Sequence, residues 1–184
     1  ERICTTTGCS VDDIAIVWAS PPCRTYSPAD YSNISRNNNF RNHSIPTKPP
    51  TDSNPMKASI AREHDLLVQH VWDVVEYLRS VGGKFRCAME NPKGSLQKRE
   101  FMQSDQWPEA LDHKRVTVDY CAYGMPYMKP TDIWTSLLDW VPKGFTGDGR
   151  CHSRCGQGGW FISDTGRLGY RHQIALARDP KDGL

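Results

Sequence analysis

Short apolar runs, each cut off by a proline or a glycine pair, alternate with polar stretches along this chain. The first run, "IAIVWA" (14–19), is rich in β-branched residues and bounded by Asp-Asp and Ser-Pro-Pro. That pattern predicts a buried strand of the parallel type. Pro21 and Pro22 cannot continue a central strand. Cys23 is therefore expected just past the strand's C-terminal end, the edge at which open α/β sheets bind ligands. Over 57–80 the period changes: Ile60, His64, Leu67, Val71, Val74 or Val75, and Leu78 recur in steps of three and four. This predicts a helix, stopped by Gly82 and Gly83. "FRCAM" (85–89) predicts a second strand running straight into Glu90-Asn91-Pro92, followed by a helix over part of 95–111. "RVTVDYCAYG" (115–124) alternates as a strand, and "TDIWTSLL" (131–138) reads as another. Strand, helix, strand, helix predicts an α/β fold with a doubly wound, mostly parallel sheet. The last two strands form an antiparallel hairpin at one edge.

Two stretches carry no such pattern. Residues 24–56 are rich in Ser, Asn and Pro and carry Arg24, Arg36, Arg41 and Lys48 with few acids. A structureless loop of about 30 residues inside a compact domain is usually functional or disordered. The functional reading here is a mobile lid that touches phosphate; the plain one is a disordered insertion. Residues 142–169 are Gly-rich and irregular. The expected organisation is a core over 1–141, including the long loop 24–56, and a small irregular Gly/Cys-rich segment over 142–184.

With 184 residues, 38% of them hydrophobic, the chain is long enough for one core of ordinary size. A net charge of +2 argues by itself for no particular partner. No apolar run approaches the roughly 20 residues of a membrane span, and "ERICTTTGCS" is no signal peptide. Seven cysteines at irregular spacing read as reduced thiols of an intracellular protein, in nucleus or cytoplasm, with some of them candidates for metal.

Cys23 and Glu90 each stand at a strand end beside proline. Neighbouring strands lie about 4.8 Å apart, so adjacent strands would turn a thiol and a carboxyl into one crevice. A thiolate beside a carboxylate is a poor pair, because like charges raise both pKa values. The pair makes sense when the carboxyl is protonated or holds a donor on a substrate while sulfur attacks. A pyrimidine meets that requirement: N3 and the exocyclic amine need an acid and an acceptor while a nucleophile adds at carbon 6.

The blocks "SPPCRTYS" (20–27), "ENP" (90–92) and "YGMPYMKPTDIW" (123–134) resemble, in order, the Pro-Cys loop, the Glu-Asn-Val segment and the Gln-x-Arg-x-Arg segment of the DNA cytosine-5 methyltransferases. The likeness covers roughly 14–140 and is greatest to divergent viral and phage-type members. It implies a Rossmann-like methyltransferase sheet, DNA as partner and S-adenosylmethionine as methyl donor. It also implies a target cytosine flipped into the pocket, with Cys23 as the nucleophile at carbon 6 and Glu90 holding the N3 and amino edge. Lys129 would supply the positive charge of the third block. Pro22, Arg24, Tyr26, Ser27, Asn91 and Thr131 would face the base or DNA, and Ser20 and Pro21 the cofactor. Residues 24–56 would be the loop that closes over DNA.

The chain departs from that pattern in two places. Gln-x-Arg-x-Arg becomes Tyr127-x-Lys129-x-Thr131, and lysine lacks the planar fork of arginine. Only 13 residues precede Ile14, and "TTTGCS" is not the Gly-rich cofactor loop the family places there. The expectation is a fragment lacking its cofactor half, or a degenerate cofactor site. Two rival readings follow: a non-catalytic nucleic-acid-binding module on a methyltransferase-like fold, and an amino-methyltransferase of the Ser-Pro-Pro-Tyr type. A zinc deaminase is excluded because "PPCRTY" lacks the second cysteine of Pro-Cys-x-x-Cys.

A second candidate site is Cys151-x-x-x-Cys155 with His172 downstream, and Cys121 or His152 as a fourth ligand. The ligand types suit zinc but the spacing is not that of a standard knuckle, and the alternative is free thiols in a Gly-rich loop. Trp18, Cys87 and Trp134 read as core residues, and His64 and His70 as packing or surface residues.

Overall fold

A computed structural model of the chain describes residues 8–28, 39–103, 114–163 and 165–173. Among these residues the fold is α/β, with one long helix, α1 (Pro55–Ser80). The strands are β1 (Ile16–Ala19), β2 (Arg86–Pro92), β3 (Lys114–Asp119), β4 (Pro130–Thr135), β5 (Gly158–Ile162) and β6 (Leu168–His172). The first four form a mixed sheet of order β1-β2-β4-β3, in which β1 and β2 make the parallel pair. This is coarser than the doubly wound, mostly parallel sheet expected. In place of a helix near 95–111 there are two 3-10 turns, Leu96–Lys98 and Glu100–Met102; residues 104–113 lie outside the described part. The chain divides into two compact units, one of Glu1–Arg115 with Ile133–Leu138, the other of Val116–Asp132 with Asp139–Leu184.

In the first unit, α1 begins where the Asn54 side-chain carbonyl accepts the Lys57 N–H at 3.1 Å and Pro55 presets the first helical φ. It stops where the Gly83 N–H returns to the Leu78 carbonyl at 2.9 Å past Gly82, whose φ is +95°. Its buried stripe is Ala58, Ala61, Asp65, Val68, Trp72 and Val75. That stripe is rotated by about one position from the expected one, and Leu67 and Val74 are exposed. The cause is Asp65, a carboxylate lying on the inward face. Only a side chain neutralised from outside the helix can sit there.

Strand β2 is the buried one: Cys87, Ala88 and Met89 are all inside, and Cys87 and Trp134 are core residues as expected. Strand β1 corrects the reading of its sequence. It lies at the edge of the sheet, and of its two-residue repeat only Val17 and Ala19 pack against the core while Ile16 and Trp18 are exposed. Trp18, expected in the core, is 56% exposed, with its indole N–H donated to the Ser20 hydroxyl at 3.1 Å.

The second unit contains a regular hairpin where irregular chain was expected. β5 and β6 pair antiparallel, with Gly158 opposite His172 and Ile162 opposite Leu168. Their turn closes through the Gly166 N–H to the Ser163 carbonyl at 2.8 Å. The buried cluster of this unit is Cys121, Cys151 and Cys155, with Tyr170 packed against it.

Candidate functional site

The parallel register pairs Ile16 with Arg86 and Ala19 with Met89. The chain leaving β1 therefore runs out beside Glu90 and Asn91. The fully buried Asn91 donates its side-chain N–H to the Pro21 carbonyl at 3.0 Å. Beyond the two prolines the backbone makes one helical turn: the Cys23 carbonyl accepts the N–H groups of Tyr26 and Ser27, both at 2.9 Å. The far end of this turn is gripped by the segment that follows Glu90. Ser95 donates its backbone N–H to the Tyr26 carbonyl at 2.9 Å, and its hydroxyl to the same oxygen at 3.4 Å. Gly94 lies so close to that oxygen that a Cβ there would stand 2.0 Å from it. Cys23 thus sits on a short arch whose two ends, residues 21 and 26, are both held by the five residues after Glu90. Its thiol is free and half-buried. Glu90 is half-buried, and its Oε2 is buried without a hydrogen-bond partner among the described residues, as is Asn91 Oδ1.

Beneath the arch lies a network that inspection of the sequence missed. Asp65 receives the Tyr26 hydroxyl at 2.8 Å, Arg41 Nη2 at 2.7 Å and Arg99 Nη2 at 2.7 Å. The guanidinium of Arg41 also donates to the Thr25 carbonyl at 2.8 Å and packs 4.3 Å from the Tyr26 ring centre. Arg99 donates to the carbonyls of Thr47 and Lys48, both at 3.0 Å. Burial, followed by the Asp65 charge, pushes the Tyr26 hydroxyl far above its ordinary range. His64, whose Nδ1 lies 3.2 Å from the Thr25 hydroxyl, is held below its usual value by burial and then by Arg41. The signal that could have found this network is an acid on the apolar stripe of α1. Arg41, read as part of a phosphate-touching lid, is instead a wholly buried anchor. Of that loop, residues 29–38, Arg36 included, lie outside the described part.

The structure therefore groups Ser20, Pro21, Pro22, Cys23, Arg24, Tyr26, Ser27, Glu90 and Asn91 in the first unit. Pro22 and Arg24 are exposed, and the Arg24 guanidinium lies 5.0 Å from the Phe40 ring centre. Tyr26 is sealed inside, with its hydroxyl committed to Asp65. Lys129 and Thr131 belong to the second unit. The Lys129 ammonium lies 4.9 Å from the Tyr120 ring centre, and the buried Thr131 donates its hydroxyl to the Lys129 carbonyl at 3.3 Å.

No family model matches the chain, and no solved structure matches it. Over 137 residues, 74% of its length, it is 31% identical to the frog virus 3 (isolate Goorha) protein named "Probable DNA (cytosine-5)-methyltransferase". The resemblance to the cytosine-5 methyltransferases therefore holds. The match covers 52% of the viral methyltransferase, so the chain spans about half the length of this relative. Among the described residues no helix is long and apolar enough to cross a membrane.

The second unit collects a further set of reactive side chains. The sulfurs of Cys121, Cys151 and Cys155 and a ring nitrogen of His172 all lie within 4.8 Å of one another. Cys121 joins the three ligands expected from the sequence. His152, the other candidate, is turned away, with Nε2 2.7 Å from Asp148 Oδ2. Burial, then hydrogen bonds with Cys151 and Cys155, pushes the Cys121 thiol up. For Cys155 burial acts upward but is outweighed by the Gln157 N–H and the Tyr170 hydroxyl, so its value falls. Tyr170, as donor to that sulfur, is pushed up to about 12.

Proposed function

We propose that this chain carries the cytosine-attacking part of a DNA cytosine-5 methyltransferase. A single observation carries the reading: the buried, unpartnered Oε2 of Glu90 at the strand end whose next residues clamp the Cys23 arch. A buried acceptor left without a donor costs roughly 1–3 kcal/mol, more when charged. A folded chain tolerates that where a ligand supplies the donor. The exocyclic amine of a cytosine supplies that donor, and the adjacent N3 is an acceptor for the proton of the same carboxyl.

In the proposed reaction the target cytosine leaves the stack, since its ring edge is closed to attack while paired. Cys23, as thiolate, adds its sulfur to carbon 6. The electron pair of the 5,6 double bond moves toward carbon 4 and N3, where the Glu90 carboxyl gives a proton or hydrogen bond to the developing charge. Carbon 5 is then nucleophilic. After it has gained its substituent and lost its proton, the bond from carbon 6 to sulfur breaks and the thiolate returns. Pro21, Asn91, Gly94 and Ser95 hold the arch that carries Cys23, which is the positioning this addition calls for. Tyr26 acts beneath it as a positioning residue. Lys129 is the residue of the third block that would meet DNA, with the buried Thr131 bonded to its carbonyl as a positioning residue.

S-adenosylmethionine is the methyl source that such chemistry calls for. Ser20 and Pro21 were the residues expected beside it. The Ser20 hydroxyl accepts from Trp18, and the Pro21 carbonyl is taken by Asn91. Ser20 keeps one O–H to donate and Pro21 has no N–H, so the two offer an adenosyl group a single side-chain donor.

The test is donor-independent. A pool of random duplexes carrying pyrimidin-2-one in place of cytosine should form a denaturant-stable adduct with the protein. Ordinary cytosine duplexes should exchange hydrogen at carbon 5 in D2O. Cys23→Ser should abolish both while binding DNA as tightly. Glu90→Gln should slow both by about 10²–10³-fold. DNA binding by wild type with neither adduct nor exchange would replace this proposal with the non-catalytic binding module.

A further inference from the structure

We propose that Cys121, Cys151, Cys155 and His172 bind one zinc ion in a closed tetrahedral site that serves as the core of the second unit. The inference is independent of the reaction proposed for Cys23.

The geometry is the first argument. Zinc bonds of about 2.3 Å to sulfur and about 2.05 Å to imidazole nitrogen, at tetrahedral angles, separate two sulfurs by ~3.8 Å and a sulfur from a nitrogen by ~3.5 Å. The Cys151 and Cys155 sulfurs lie 3.7 Å apart, and His172 Nε2 lies 3.3 and 3.4 Å from them. Those match three edges of a zinc tetrahedron, and the Cys121 sulfur lies within 4.8 Å of each of these atoms. A disulfide would need about 2.05 Å between two of the sulfurs and would leave a third thiol and an imidazole crowded against it.

The surroundings are the second argument. The backbone between the two cysteines turns through left-handed conformations at His152 (φ 44°) and Ser153 (φ 58°). These are strained for side-chain-bearing residues, and a ligated pair at its ends would hold them. The Gln157 N–H points at the Cys155 sulfur at 3.4 Å, and the Tyr170 hydroxyl lies 3.6 Å from it. Donors aimed at a sulfur stabilise it as a metal thiolate. Asp119 takes the Cys151 N–H at 2.8 Å and Arg150 Nε at 2.9 Å, fixing the start of the ligand loop.

The third argument is composition. The buried hydrophobic cluster of this unit consists of the three cysteines themselves. Around them Trp160, Ile162 and Leu168 of the hairpin stay exposed. A small unit without an apolar core requires a staple, and a structural metal is one of the few kinds known. The ion would join three segments: the 3-10 turn Tyr120–Tyr123, the 151–155 loop and the end of β6.

The full chain, purified under reducing conditions and dialysed, should carry one equivalent of zinc by elemental analysis. Its cobalt(II) form should show the intense visible bands of a tetrahedral site together with thiolate charge-transfer absorption. Cys121→Ser and His172→Ala should each weaken zinc binding at least 10-fold, whereas His152→Ala should leave it unchanged. Where a ligand variant fails to fold, thiol alkylation of wild type decides: zinc should protect Cys121, Cys151 and Cys155 while the exposed Cys9 reacts. The proposal is overturned by less than a tenth of an equivalent of zinc retained after reconstitution. It is equally overturned by a native disulfide within the cluster, or by a cobalt spectrum that Cys121→Ser leaves untouched.

Discussion

At the scale of single residues, Asp65 shows why charge alone misleads. It occupies the buried stripe of α1 because Arg41 and Arg99 neutralise it, with side-chain exposures of 0% and 12% for the arginines and 8% for Asp65. Removing one partner of such a group leaves a buried charge without compensation. Asp65→Ala should cost about 3–5 kcal/mol in urea unfolding, and a loss below 1 kcal/mol would show that the arginines find water instead. The acid was visible in the sequence but its partners were not, since they lie 24 and 34 residues away and nothing local links them. Cys23 and Glu90 were legible because prolines mark where each strand ends. Cys121 was legible only as an option, because a ligand supplied from another element carries no spacing signal.

At the scale of elements, the arch depends on a contact that exists because Gly94 has no side chain. Gly94→Ala would drive a methyl group into the Tyr26 carbonyl, and backbone on backbone has little room to yield. The variant should lose about 1–3 kcal/mol. It should also show faster amide exchange at residues 21–27 and slower adduct formation, with α1 unaffected. Unchanged exchange there would mean that the clamp does not hold the arch. The existence and type of β1, β2, β4 and α1 were readable from period and punctuation. Which face of each is covered was not, because it depends on what packs against that face from elsewhere in the chain. The β5–β6 hairpin was hidden by its glycines: Gly158 and Gly169 let strands and rings approach closely, yet in sequence they look like loop.

At the scale of the whole molecule, neither compact unit is one continuous stretch of chain. Val116–Asp132 depends on the later segment: the Asp119 N–H reaches the Gly149 carbonyl at 2.8 Å and the Phe145 N–H reaches the Ala122 carbonyl at 2.6 Å. A chain truncated after residue 138 should therefore lose amide protection across 116–132 while α1 and β2 retain theirs. Retained protection at 116–132 would mean that this segment is stable without its partner. That the resemblance could be read from three short blocks reflects chemistry gathered at strand ends, where side chains are constrained by what they must touch.

The lone Oε2 of Glu90 has an energetic corollary. A buried lone pair without a donor is a place where the folded chain is less comfortable than it need be. A donor that reached it, as proposed for a flipped cytosine, would stabilise the fold by the same interaction that recognises the base. On the reading proposed for Cys23 and Glu90, the unliganded chain would then be the less stable form, and thermal unfolding would shift upward when a cytosine base is bound.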